Sequence, residues 1–209
     1  MSNKTTFYIV RHGESQANAG KYLGGKKDVK LTEEGEKQAS KVAKFFEGKQ
    51  PDIIFSSPMT RAKQTAKIIT SHNKFSEAIV DSRIREKDFG DKLEGMSWSN
   101  FKKQYPKLAG SNHTNNFDFT PYGGDSATQM RNRLYEFFLE KYQQYPNKHV
   151  IVVTHGGVIL MLAGDFQKLV LDFRCVETEL MHGNCDVWAW KFDEEEANII
   201  KFYESGDSD

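Results

Sequence analysis

Cysteine is scarce in this chain: Cys175 and Cys185 are the only two among 209 residues. Neither lies in a CxxC pair or at metal-ligand spacing from a histidine, so no disulfide scaffold and no metal site are expected. A reducing compartment suits such a chain, and the expected location is cytoplasmic. Excess charge is missing too, with 29 Lys+Arg against 29 Asp+Glu. No global field gathers nucleic acid or an anionic membrane, so neither is an expected partner, and an anionic ligand must be held by a local cluster. Long apolar runs are absent. The opening "MSNKTTFYIV" carries one lysine and an apolar run too short for a signal peptide or a membrane span. Proline, at five residues, is too sparse for a proline-rich linker, and no repeat or low-complexity stretch divides the chain. The length favours one large domain, spanning residues 1–209, over two full ones.

What is present is alternation of strand and helix. "TTFYIV" (5–10) is a continuous rather than alternating apolar run, as expected of a strand buried on both faces. Thr32 followed by Glu33 and Glu34 reads as a capped helix start, and Ala39, Val42, Ala43 and Phe46 recur at i, i+3, i+4, i+7 as its buried stripe. "DIIFSS" (52–57) is a second strand, and "SPMTRAKQTAKIITS" a second helix, with Ser57 as its cap and Pro58 at its first position. A short strand near Ile79-Val80 and a helix over 126–145 follow, the latter with Met130, Leu134, Phe137 and Phe138 on one face. "HVIVVTHGG" (149–157) is the strongest strand signal, and "VWAWKF" with "NIIKFY" reads as a hairpin. Between Asp91 and Asp125 the pattern fades, apart from a short helix near 97–105, which predicts an irregular, lid-like insertion. Apolar strands alternating with helices predict an α/β fold: a three-layer α/β/α sandwich around a mostly parallel sheet.

In such sheets ligands bind beyond the carboxyl ends of the strands. Two strands end there in histidine and glycine: "VRHG" at Arg11-His12 and "VTHGG" at His155. A neutral imidazole held by one nitrogen has a lone pair on the other, which makes His12 on a tight turn a fixed nucleophile. Arg11 offers a planar fork matched to phosphate oxygens, and Arg61, one turn into a helix that follows a strand, adds a second cation. His155 can share charge developing on a phosphoryl oxygen. Glu86 follows the third strand, where a neighbouring phosphate dianion favours its acid form and lets it protonate a leaving alkoxide. Each piece alone also fits a surface or packing residue, and Arg83, Arg85 and Lys87 make Glu86 readable as part of a solvated turn. The remaining histidines, 72, 113, 149 and 182, show no ligand spacing.

Taken in order, "RHGES", Asn18, "SSPMTRAKQTA", "REKDFGDKLEG", "GGDS" and "THGG" resemble the histidine phosphatase superfamily, also called the phosphoglycerate mutase-like family, from about Phe7 to about Trp190. The resemblance implies His12 as the nucleophile that becomes phosphohistidine and Glu86 as proton donor and later acceptor. It implies a phosphate pocket of Arg11, Arg61 and His155 with Asn18, and substrate contacts at Ser15, Gly24 and Gly156. No cofactor is required. Asp125 departs from the pattern, standing in "GGDS" where the family more often has Glu, and "LAGDFQKLVLDF" replaces the usual apolar-Gly run.

The expected activity is therefore hydrolysis of phosphomonoesters, on a small phosphorylated metabolite or a phosphoprotein. A mutase of the same family would need arginines in an insertion after the Glu86 segment, and residues 91–130 contain none. A non-catalytic phospho-ligand binder would be expected to have lost one of His12, Arg61, Glu86 or His155. The aromatics of the insertion (Trp98, Phe101, Tyr105, Phe117, Phe119, Tyr122) fit lid core better than a substrate wall. Oligomeric state is not written in the sequence.

Overall fold

The computed structural model describes residues 4–112, 116–169, 183–192 and 197–203. In chain order its elements are β1 (Thr6–Arg11), α1 (Gln16–Ala19), α2 (Glu33–Phe45), β2 (Ile53–Ser56), α3 (Thr60–Asn73), β3 (Ile79–Val80), α4 (Trp98–Gln104), α5 (Pro106–Asn112), α6 (Ala127–Gln144), β4 (His149–Thr154), α7 (Gly156–Leu169), β5 (Val187–Phe192) and β6 (Ala197–Tyr203). One six-stranded sheet runs β3-β2-β4-β1-β5-β6. β1, β2, β3 and β4 pair in parallel, and the β5–β6 hairpin adds to the β1 edge antiparallel.

The continuous apolar strands are buried on both faces because helices cover both. Successive residues of β4 point to opposite sides. Val150 and Val152 join Phe7, Ile9 and Phe55 beneath α6 and α7. Ile151 and Val153 join Val10 and Ile54 against α2 and α3. The α/β/α layering expected from the alternation is the fold observed. Thr32 caps α2 by accepting from the Gly35 N–H at 3.0 Å, as read.

Two local expectations are corrected. Helix α3 begins at Thr60, with Met59 at its cap and no side-chain cap bond. Ser57 has another partner, described below, and the Asp28 carboxylate takes the Thr60 N–H and hydroxyl, each at 2.7 Å. The segment 91–125 is also less irregular than expected, for α4 is joined by α5 and by a 3₁₀ turn at Thr120–Tyr122. Its Phe101, Phe117 and Phe119 are buried with Phe89 in the core beneath α6 and α7. Trp98, Tyr105 and Tyr122 pack partly buried around them. The aromatics are core, not a substrate wall. The acidic "DEEEA" turn, His113, Cys175, His182 and the "ESGDSD" tail fall, wholly or in large part, outside the described residues.

Candidate active site

Parallel strands β1 and β4 end side by side, so their terminal histidines meet. The His12 N–H donates to the Thr154 carbonyl at 3.0 Å. The His12 and His155 rings lie 5.1 Å apart, edge to face. The turn after β1 is drawn tight against α2: a Cβ on Gly13 would stand 2.3 Å from the Gly35 carbonyl oxygen, so only glycine fits. Thr65 on α3 accepts the Gly13 N–H at 3.1 Å, and Gln38 on α2 accepts the Glu14 N–H at 2.7 Å.

His12 is buried, and its tautomer follows from its partners. Nδ1 lies 2.7 Å from the Gly13 carbonyl oxygen, which can only accept, so Nδ1 carries the proton. Nε2 is then a lone pair, and it accepts the Arg61 Nε–H at 3.2 Å. Burial first, then the charges of Arg61 and Arg11, push the proton affinity of His12 well below the usual imidazole range. His155 is pushed down likewise, by burial and then by Arg61, His12, Arg133 and Arg11. Its Nε2 pairs with the Ser57 hydroxyl at 2.7 Å. Its Nδ1 is buried with no hydrogen-bond partner among the described residues. For Nδ1 to act as a donor, Nε2 must accept from the Ser57 O–H.

Arg61 is 1% exposed, and its guanidinium is held in one plane by backbone. It donates to the carbonyls of Gly24 (2.9 Å), Gly25 (3.0 Å) and Lys27 (3.2 Å). Gly24, expected to touch ligand, thus supports the arginine. That loop is fixed in turn by Glu94, whose carboxylate accepts the N–H groups of Lys26 (2.9 Å), Lys27 (3.3 Å) and Phe89 (3.3 Å). Burial raises the proton affinity of Glu94 and these bonds oppose it. Arg11 is buried at the end of β1. Ser15 and Asn18 form the capping box of α1, where the Asn18 Oδ1 accepts from the Ser15 N–H (3.0 Å) and hydroxyl (2.7 Å). This leaves the Asn18 Nδ2 group for other partners.

Glu86 reaches the same place from the far side of β4. The Thr154 hydroxyl donates to the Ile84 carbonyl at 2.7 Å, drawing the segment after β3 to the end of β4. The Glu86 carboxylate accepts the Lys87 N–H at 2.9 Å and, at the start of α7, the Gly157 N–H at 3.0 Å. A Cβ on Gly157 would stand 2.1 Å from Glu86 Oε1, so the second glycine of "THGG" makes room for this carboxylate. Gly156, the expected ligand contact, opens the helix beside it.

Sequence reading missed four residues here. Ser57 reads as a helix cap in the sequence. Glu94 lies in the 91–125 segment, where no periodicity singles it out. Lys87 is buried next to Glu86, with its ammonium donating to the Asn112 carbonyl at 3.1 Å and lying 4.8 Å from the Phe117 ring centre. Burial lowers its pKa to about 8, against the pull of Glu86. Arg133 lies three residues after Met130 and four before Phe137, on the buried stripe of α6, and an arginine there was the signal that could have found it.

This is the architecture of phosphoglycerate mutase-like α/β proteins. A phosphoglycerate mutase from Bacillus anthracis superposes with a TM-score of 0.78 over 98% of this chain and 95% of that one, at 20% identity, which speaks for the fold. The chain belongs to the histidine phosphatase superfamily (branch 1), whose sequence pattern matches residues 7–205. It is 33% identical over 155 residues to an uncharacterized phosphatase, PhoE, of Bacillus subtilis, covering 74% of each chain. It is 42% identical over 134 residues to the fructose-2,6-bisphosphatase TIGAR of Xenopus tropicalis, covering 62% of this chain and 47% of that one, about half its length. Phosphoglycerate mutases also occur among the relatives.

Proposed function

We propose that this chain hydrolyses phosphomonoesters through a covalent phosphohistidine on His12. The observation that carries the reading is the His12 tautomer: with Nδ1–H on the Gly13 carbonyl, the nucleophilic lone pair on Nε2 faces Arg61. An incoming phosphoryl oxygen takes over the Arg61 Nε–H. Arg11, the His155 Nδ1–H and the Asn18 amide neutralise the remaining oxygens. Nε2 attacks phosphorus, the P–O ester bond breaks, and Glu86 gives its proton to the departing oxygen. A water then gives a proton to the Glu86 carboxylate and attacks phosphorus. The P–N bond breaks, its electron pair returns to Nε2, and inorganic phosphate leaves. Every group needed is on this chain, and the whole of 1–209 is read as one catalytic domain with 91–125 as its lid.

The family's mutases would pass the phosphoryl group to a second acceptor. Without arginine in 91–130 a substrate carboxylate lacks the paired forks such a mutase uses, which favours water as acceptor. A small phosphorylated metabolite or a phosphoprotein is the substrate class, in the cytoplasm.

Brief reaction with ³²P-labelled substrate tests the reading. Wild type is expected to yield an acid-labile, base-stable phosphoenzyme that His12→Ala cannot form. On p-nitrophenyl phosphate, Glu86→Gln is expected to keep a remnant, about 10²–10⁴-fold reduced, while His12→Ala keeps none. Equal and total loss in both would mean the roles are misassigned. Tight vanadate binding without turnover would mark a binding module instead.

A further inference from the structure

Glu86 is held at its backbone as firmly as at its carboxylate. Its carbonyl accepts from two guanidiniums, Arg85 Nη1 at 2.9 Å and Arg133 Nη2 at 3.3 Å. Both converge on one carboxylate. Asp125 takes Arg85 in a two-pronged pair at 2.8 and 2.9 Å, and its Oδ2 lies 3.7 Å from Arg133 Nη2. Asp125 is also stitched to the strand-end segment, accepting the Asp88 N–H on its side chain at 3.0 Å and donating its own N–H to the Asp88 carbonyl at 2.9 Å. This double tie suits a side chain as short as aspartate. Arg133 in turn donates to the Arg83 carbonyl, so α6 is joined to this segment at two carbonyls.

We propose that Asp125 and Arg133 are positioning residues for Glu86: together with Arg85 they fix its place at the head of α7 and set the charge its carboxyl meets. The inference rests on the acid–base role of Glu86 given above. The charges facing Glu86 are Arg85, Lys87 and Asp88 from its own segment, Arg61 from α3, Arg133 from α6 and Asp125 from the turn before it, with His155 preceding the Gly157 N–H. Arg85, Lys87, Arg61 and Arg133 each feel the Glu86 charge. Asp125 cancels one of these positive charges, and Arg133 supplies one. Removing either therefore acts on Glu86 with opposite sign, which loosened packing would not do.

The test titrates the Glu86 carboxyl directly by ¹³C NMR, assigned with Glu86→Gln, alongside turnover of phenyl phosphate, whose poor leaving group needs a proton. In Asp125→Asn the pH at which Glu86 ionises is expected to fall by about half to one unit, and in Arg133→Met to rise by about as much. Phenyl phosphate turnover is expected to drop about tenfold in Asp125→Asn, with a smaller drop on p-nitrophenyl phosphate. Asp125→Glu should return the ionisation toward wild type. Shifts of the same sign in both variants, or none, would overturn the inference. If the shifts appear as stated but Glu86→Gln still turns over phenyl phosphate at the wild-type rate, the positioning stands and the acid role of Glu86 falls.

Discussion

Single atoms decide the chemistry here. The Arg61 guanidinium bridges the His12 Nε2 and three backbone carbonyls, which a point charge on a flexible stem cannot do. Arg61→Lys is expected to lower kcat/KM by about 10²-fold or more in a p-nitrophenyl phosphate assay. Retention within a few-fold would show that only charge is needed. Gly157 is as constrained, since a methyl there would overlap the Glu86 carboxylate. Gly157→Ala should displace Glu86 and reduce turnover of poor leaving groups more than of p-nitrophenolate, a difference visible by comparing the two substrates. Nothing in the sequence marks this glycine as room for a carboxylate, because its neighbour Glu86 is 71 positions away.

Elements carry the site by where they end. β1 and β4 run parallel and in register, Arg11 opposite Thr154, so the residues just past each are brought together. Lys87 joins α5 to the Glu86 segment, its ammonium donating to the Asn112 carbonyl at the end of that helix. A buried ammonium is costly even when bonded. With its pKa lowered to about 8, Lys87 opposes folding while protonated. That opposition is full below about pH 8 and fades toward the ordinary lysine range. Lys87→Met is therefore expected to raise the melting temperature by a few degrees at pH 7, with the gain vanishing near pH 10.5. A fall at pH 7 would mean the Asn112 tie outweighs the desolvation.

At the scale of the molecule, both faces of the sheet are covered, and the candidate site residues gather at the carboxyl ends of β1 and β4. Folding places two imidazoles among arginines, where they take up protons less readily than in the unfolded chain. As pH falls through about 6.5, the unfolded state binds protons that the folded state refuses, so stability declines with acid. Each histidine contributes up to about 1.4 kcal/mol per pH unit. Melting temperatures measured from pH 8 down to pH 5 should fall, and the slope should flatten in His155→Gln. A flat wild-type profile would mean that neither imidazole is buried as described.

Local pattern was enough for the layers, the buried stripes of α2 and α6, and the strand ends at His12 and His155, because each is a matter of periodicity and short-range order. It was not enough for Ser57, whose partner His155 is 98 residues away, nor for Arg133, Glu94 and Lys87. Those roles exist only once β4 lies between β1 and β2 and α5 and α6 pack against the Glu86 segment. The chain alone determined which side chains would stand at the sheet's edge. Packing decided which of their nitrogens and oxygens face one another, since hydrogen bonds and charges act through space rather than along the chain.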